Sequence, residues 1–147
     1  MKKLVVANRG CSNLGKSAAI KKVYELLFSK YGNVYFEPQG GDISAIIVIE
    51  GHKVGVESQG DPGYEMENTI RFFVREGCEI IVTACRTKGT TFTAVRDYLG
   101  GEEGFDIIWS VHDVFRNYSN QSALDQLNEN YAERVVGIIE RRISGVI

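Results

Sequence analysis

Hydrophobic positions along this chain fall into two regimes. Short, nearly continuous apolar runs alternate with longer stretches in which apolar residues recur every three or four positions. The first regime marks strands buried on both faces, and the second marks amphipathic helices. Leu4-Val5-Val6-Ala7 predicts a first strand over 3–8. From about Ser17 to Lys30, Ile20, Val23, Leu26 and Leu27 share one helical face, opposite Lys21, Lys22 and Glu25, and Gly32 is a stop signal. Pro38 and the Gly40-Gly41 pair break any pattern over 33–42, so a loop is expected there. Two apolar runs, 43–50 and 53–57, flank Gly51-His52 and read as a hairpin, with Glu50 facing Lys53 across the turn. A helix to about Glu76 follows, with Tyr64, Met66, Ile70, Phe73 and Val74 on its apolar side. The run 79–84 predicts a strand, Phe92, Val95 and Leu99 a short helix ending at Gly100-Gly101, and 105–111 a last strand. Leu124, Leu127, Tyr131, Val135 and Ile138 form the stripe of a final helix over about 121–143.

Alternating strands and helices predict an α/β domain. A two-residue turn has no room for a crossover, so the strand ending at Glu57 must run antiparallel to its predecessor. The length of 147 residues fits one domain spanning 1–147, and 44% hydrophobic residues suffice for a core. The net charge of −2 and a pI near 5.7 argue against nucleic acid as a partner. An anionic ligand must therefore be held by a local site. Three cysteines, Cys11, Cys78 and Cys85, show neither a C-x-x-C pair nor zinc spacing, and read as free thiols of a reducing cytoplasm. Cys11 reads as a tolerated loop residue. No apolar stretch has membrane-spanning length, so no membrane partner is expected.

Chemistry concentrates between the first strand and the first helix, at Gly10-Cys11-Ser12-Asn13-Leu14-Gly15-Lys16-Ser17. The pattern G-x-x-x-x-G-K-[ST] is filled at every fixed position. Glycines let the backbone approach an anion, successive N–H groups form a nest, and the following helix aims its positive end at the same point. Lys16 would reach the β- and γ-phosphates and Ser17 would sit on Mg²⁺. On these residues the chain resembles the P-loop NTPase superfamily. The resemblance implies a three-layer sandwich around a five-stranded, mostly parallel sheet. Counting the five expected strands along the chain, the implied order is 2-3-1-4-5, with strand 2 antiparallel.

A second motif closes the hairpin: Val54-Gly55-Val56-Glu57-Ser58-Gln59-Gly60-Asp61. An apolar strand ending in an acid resembles the Walker B pattern, and Glu57-x-x-Gly60 resembles the D-x-x-G switch of GTPases with Glu in place of Asp. The resemblance implies Glu57 on the metal side and the Gly60 amide at the γ-phosphate. Asp61 competes for the metal, although Asp61-Pro62 also reads as a helix N-cap followed by proline. The loop 33–42 with Tyr35, Phe36 and Asp42 reads either as a lid over the nucleotide or as a plain connector. The hairpin is closer to the Ras-like branch than to the all-parallel small-molecule kinases.

Cys85-Arg86-Thr87-Lys88-Gly89-Thr90-Thr91 forms a basic, hydroxyl-rich loop at a strand end, where open α/β sheets bind ligands. Arg86 there is a candidate partner for transition-state charge, while Thr90 or Thr91 fits a helix N-cap. The N-K-x-D guanine motif is absent, because Thr87-Lys88 is followed by Gly89-Thr90. ATP is therefore the default over GTP. The expected function is Mg²⁺-dependent binding of a nucleoside triphosphate with hydrolysis or phosphoryl transfer, Lys16, Glu57 and Arg86 carrying the chemistry. One alternative is a small-molecule kinase whose acceptor lies near Arg71, Arg75 and Arg86. The other is a non-catalytic nucleotide-binding module with a protein partner. His52 in its turn and His112 suggest no metal.

Overall fold

The computed structural model describes residues 1–10, 16–36, 43–58, 63–111 and 121–147. Among these residues six strands and four α-helices alternate. They are β1 (Leu4–Arg9), α1 (Lys16–Tyr31), β2 (Val34–Phe36), β3 (Ser44–Ile49), β4 (His52–Glu57), α2 (Gly63–Arg75), β5 (Ile80–Cys85), α3 (Thr90–Thr93), β6 (Asp106–Val111) and α4 (Gln121–Ile143). A nine-residue π-helix, Ala94–Glu102, continues α3.

The strands form one mixed sheet in the order β2-β3-β4-β5-β1-β6. β1 is parallel to both β5 and β6, and β4 is parallel to β5, while β3 is antiparallel to β2 and β4. The hairpin is thus present, but the expected five-strand order 2-3-1-4-5 is not. β1 lies between β5 and β6, and β5 separates it from β4. The cause is local connectivity. The crossover through α2 joins β4 to its immediate neighbour, as sequential strands commonly do, and Glu79 N donates to Lys53 O at 3.0 Å to set the start of β5 beside the hairpin. The additional strand, β2, comes from the stretch expected as loop. Val34 pairs with Ile47 and Phe36 with Ile46, and the Phe36 ring rests 5.1 Å from that of Phe72.

Side chains divide by alternation between the two faces. Leu4, Val6, Val54, Val56, Ile80 and Val82 meet α1 and α4 through Ile20, Val23, Val135 and Ile139. Val5, Ala7, Ile81 and Cys85 meet α2 and the π-helix through Ile70, Phe73, Val95 and Leu99. Helices therefore cover both faces, and β1, whose Leu4–Ala7 side chains are fully buried, runs between them.

The turn is displaced by one residue from its expected place. Ile49 pairs with His52, so Glu50-Gly51 form the bend. Both have positive φ, 50° and 82°, as a type I′ turn requires. Lys53 consequently faces Val48, not Glu50. It donates to Glu76 O at 2.9 Å and lies over the Tyr35 ring at 4.0 Å. His52 is tethered as well, its Nδ1 2.9 Å from Glu79 Oε1. At Gly55 a Cβ would stand 2.6 Å from Phe73 Cδ2, so the absent side chain is what seats α2 on β4.

Candidate functional site at the sheet's C-terminal edge

β1, β4 and β5 run parallel, so their last residues emerge on one edge. In register across that edge, Glu57 stands beside Thr83, Thr83 beside Ala7, and Ala7 beside Trp109. Two residues further, Arg9 stands beside Cys85. Gly10 then donates its amide to Cys85 O at 3.0 Å, extending the β1–β5 pairing to the first glycine of the motif.

α1 begins at Lys16, which is buried. Its ammonium donates to Gly10 O and, at 3.0 Å, to Cys85 O. A lysine can be buried there because two carbonyls, each with a spare lone pair at a strand end, replace its water. Ser17 follows, half-buried, one residue into α1.

Glu57 ends β4 and is fully buried. It belongs to the sheet face opposite α1, the face that carries Thr83, and Thr83 Oγ1 donates to its Oε2 at 2.5 Å. The carboxylate reaches the expected edge from one strand further away than anticipated. Burial pushes the Cys85 thiol up to about 11, opposed by Lys16 and Arg9 and reinforced by Glu57. Lys16, Arg9 and Glu57 therefore act on one point, and Cys85 stays a protonated thiol near neutral pH. Burial likewise pushes Cys78 up to about 12.

Arg86 and Lys88 are exposed on the loop after β5. Thr91 Oγ1 accepts from the Arg86 amide at 2.8 Å, so the hydroxyl expected as an N-cap braces the loop instead, and Gly89 occupies the N-cap. Arg71 is 3.2 Å from Glu67 and 4.1 Å from the Tyr98 ring centroid. It lines a cleft of about 400 Å³ that also presents Glu67, Asp97 and Glu102 and does not include Arg86. Cys11, Ser12, Asn13, Leu14, Gly15, Asp42, Gly60, Asp61 and His112 lie outside the described residues.

Two residues of β1 were not singled out from sequence. Asn8 is fully buried, and among the described residues neither its amide oxygen nor its nitrogen has a hydrogen-bond partner. It lies on the α4 side, in register with Ser110, whose hydroxyl meets Tyr131 OH at 2.8 Å. Arg9 lies on the other face, its guanidinium 4.5 Å from the Phe92 centroid and 5.5 Å from that of Trp109. A polar pair closing an otherwise apolar strand was the available signal. Among the described residues no helix is long and apolar enough to cross a membrane. Comparison with protein-family models, with curated proteins and with solved structures yields no match.

Proposed function

We propose that the chain binds a nucleoside triphosphate, ATP by default, at residues 10–17, and turns it over with Mg²⁺ by hydrolysis or phosphoryl transfer. The fold is read as a P-loop NTPase-type sandwich in which β5 separates the phosphate-loop strand from the strand bearing the acid. The observation that carries this reading is the placement of the motif. β1 ends at Arg9 in the body of the sheet, α1 begins at Lys16, and the six residues between them complete G-x-x-x-x-G-K-[ST].

The lysine supports the reading too. Its ammonium rests on carbonyls at the ends of β1 and β5, charged and already at the edge where the phosphates would lie. Phosphate oxygens would replace those carbonyls as acceptors, exchanging neutral partners for charged ones. Ser17 and Glu57 each offer oxygen, the donor a hard cation takes, although they belong to opposite faces of the sheet, and Thr83 holds the carboxylate. When bound, Mg²⁺ would offset charge on the phosphates. Arg86, on the loop after β5, is the side chain assigned to meet charge developing on the transferred group. The carboxylates around Arg71 disfavour an acidic acceptor in that cleft.

Labelled ATP and GTP, titrated into the parent and into Lys16→Ala, test the binding. Binding by the parent and its loss in the variant are expected, and equal binding by both would sink the assignment. Because Lys16 also ties two strand ends, the variant's thermal midpoint must be recorded alongside. Glu57→Gln should lower phosphate release more than it lowers ATP affinity. Binding without any release by the parent would make the chain a nucleotide-binding module.

A further inference from the structure

The cation-rich corner next to the phosphate loop has no role in the reading above. Arg9 Nη2 donates to Thr87 O at 2.7 Å. Its guanidinium lies over Phe92 and Trp109, whose rings stack with centroids 5.1 Å apart at 29°. Its Nε is buried and has no hydrogen-bond partner among the described residues. Arg71, Arg96 and Arg142 each find a carboxylate. Among the described residues none pairs with Arg9, nor with Lys88 on the loop that Arg9 holds.

We propose that Arg9 and Lys88, backed by the Phe92–Trp109 pair, form a second anion site beside the phosphate loop that takes the phosphate or carboxylate group of a small molecule. The inference does not depend on nucleotide binding at residues 10–17. Arg9 is held on three sides, by a carbonyl and two aromatic faces, so little side-chain entropy remains to be lost when an anion docks. The loop is equally constrained, by Arg9 at Thr87 O and by Thr91 at the Arg86 amide. Lys88 adds a point charge that can follow the ligand. A long polyanion is disfavoured, because the neighbouring cleft presents Glu67, Asp97 and Glu102 and the whole chain carries −2.

Trp109 is the only tryptophan, so its emission reports on this corner. Inorganic phosphate and malonate, each titrated into Lys16→Ala at constant ionic strength, should give a saturable change with at least one of them. Which anion responds identifies the group recognised. Arg9→Gln should weaken that binding about tenfold or more, in line with a hydrogen bond to a charged partner, and Lys88→Gln should weaken it less. If Arg9→Gln does not fold, Arg9→Lys and Lys88→Gln serve in its place. The proposal is overturned by a change no larger than chloride produces, or by one that the substitutions leave intact. Tight binding of a single-stranded oligonucleotide with a steep salt dependence would also overturn it, in favour of a nucleic-acid surface. Labelled-ATP binding by the parent is a separate measurement, so failure here leaves the nucleotide reading standing.

Discussion

Lys16 and Gly55 show how far one residue's role depends on what lies across the sheet from it. The sequence places Lys16 in the pattern G-x-x-x-x-G-K-[ST]. That its ammonium also bridges Gly10 O and Cys85 O is visible only once β5 lies beside β1. At Gly55 what the missing side chain accommodates, the Phe73 ring, is visible only in the fold. A methyl at Gly55 would collide with a fully buried ring, so Gly55→Ala should cost about 1–3 kcal/mol, the usual range for overpacking a tight core. Urea denaturation measures the loss. Combined with Phe73→Leu it should be less than additive, since the two side chains compete for one volume. Additive losses would mean that the ring is not what excludes the methyl.

Among the elements, the hairpin and the π-helix part company with sequence expectation for different reasons. Gly51-His52 and Glu50-Gly51 are both two-residue turns containing glycine. The choice falls to the register that sets Ile47 opposite Val54 and Ala45 opposite Val56, all buried, and it leaves Glu50 at a φ of 50°. Left-handed backbone costs most residues about 1–2 kcal/mol and costs asparagine less. Glu50→Asn should therefore raise the urea midpoint by the equivalent of about 1 kcal/mol with an unchanged slope. A lower midpoint would show that the Glu50 side chain contributes something the backbone argument omits. Gly100-Gly101 was read as a helix stop, yet the π-helix passes through it to Glu102. Gly100 serves packing, because a Cβ there would meet Ile107 Cδ1 at 2.7 Å.

At the scale of the whole molecule, ion pairs tie the outer helices to each other and to the sheet. Lys30 and Tyr31 of α1 both donate to Glu140 of α4. Lys2 and Arg142 hold Asp106 at the start of β6. The Lys30 and Tyr31 hydrogen bonds hold the Glu140 carboxyl below its ordinary range, and those of Lys2 and Arg142 do the same for Asp106. A carboxyl depressed in the folded state contributes stability that is complete above its unfolded pKa, about 4. That contribution is lost as the pH falls through the folded value. The urea midpoint should thus decline as the pH drops below about 5, and Glu140→Gln should make the decline shallower. An unchanged pH dependence in that variant would mean that the α1–α4 tie does not contribute.

Local order in the chain was enough for the alternation of strands and helices, the hairpin, and the G-x-x-x-x-G-K-[ST] pattern between β1 and α1. Each depends on residues close together in sequence, through side-chain periodicity, turn chemistry or motif spacing. The sheet order, the turn register, the sixth strand and the surroundings of Lys16, Glu57 and Arg9 were decided by tertiary structure. Val34–Phe36 is too short to announce itself and becomes a strand because β3 offers an open edge with Phe72 beneath it. Glu57 could be recognised as an acid at a strand end. That Thr83 orients it, on the face away from α1, follows only from β4 and β5 lying side by side. Such pairings are chosen by the burial of long-range partners, and no short stretch of the chain carries that information.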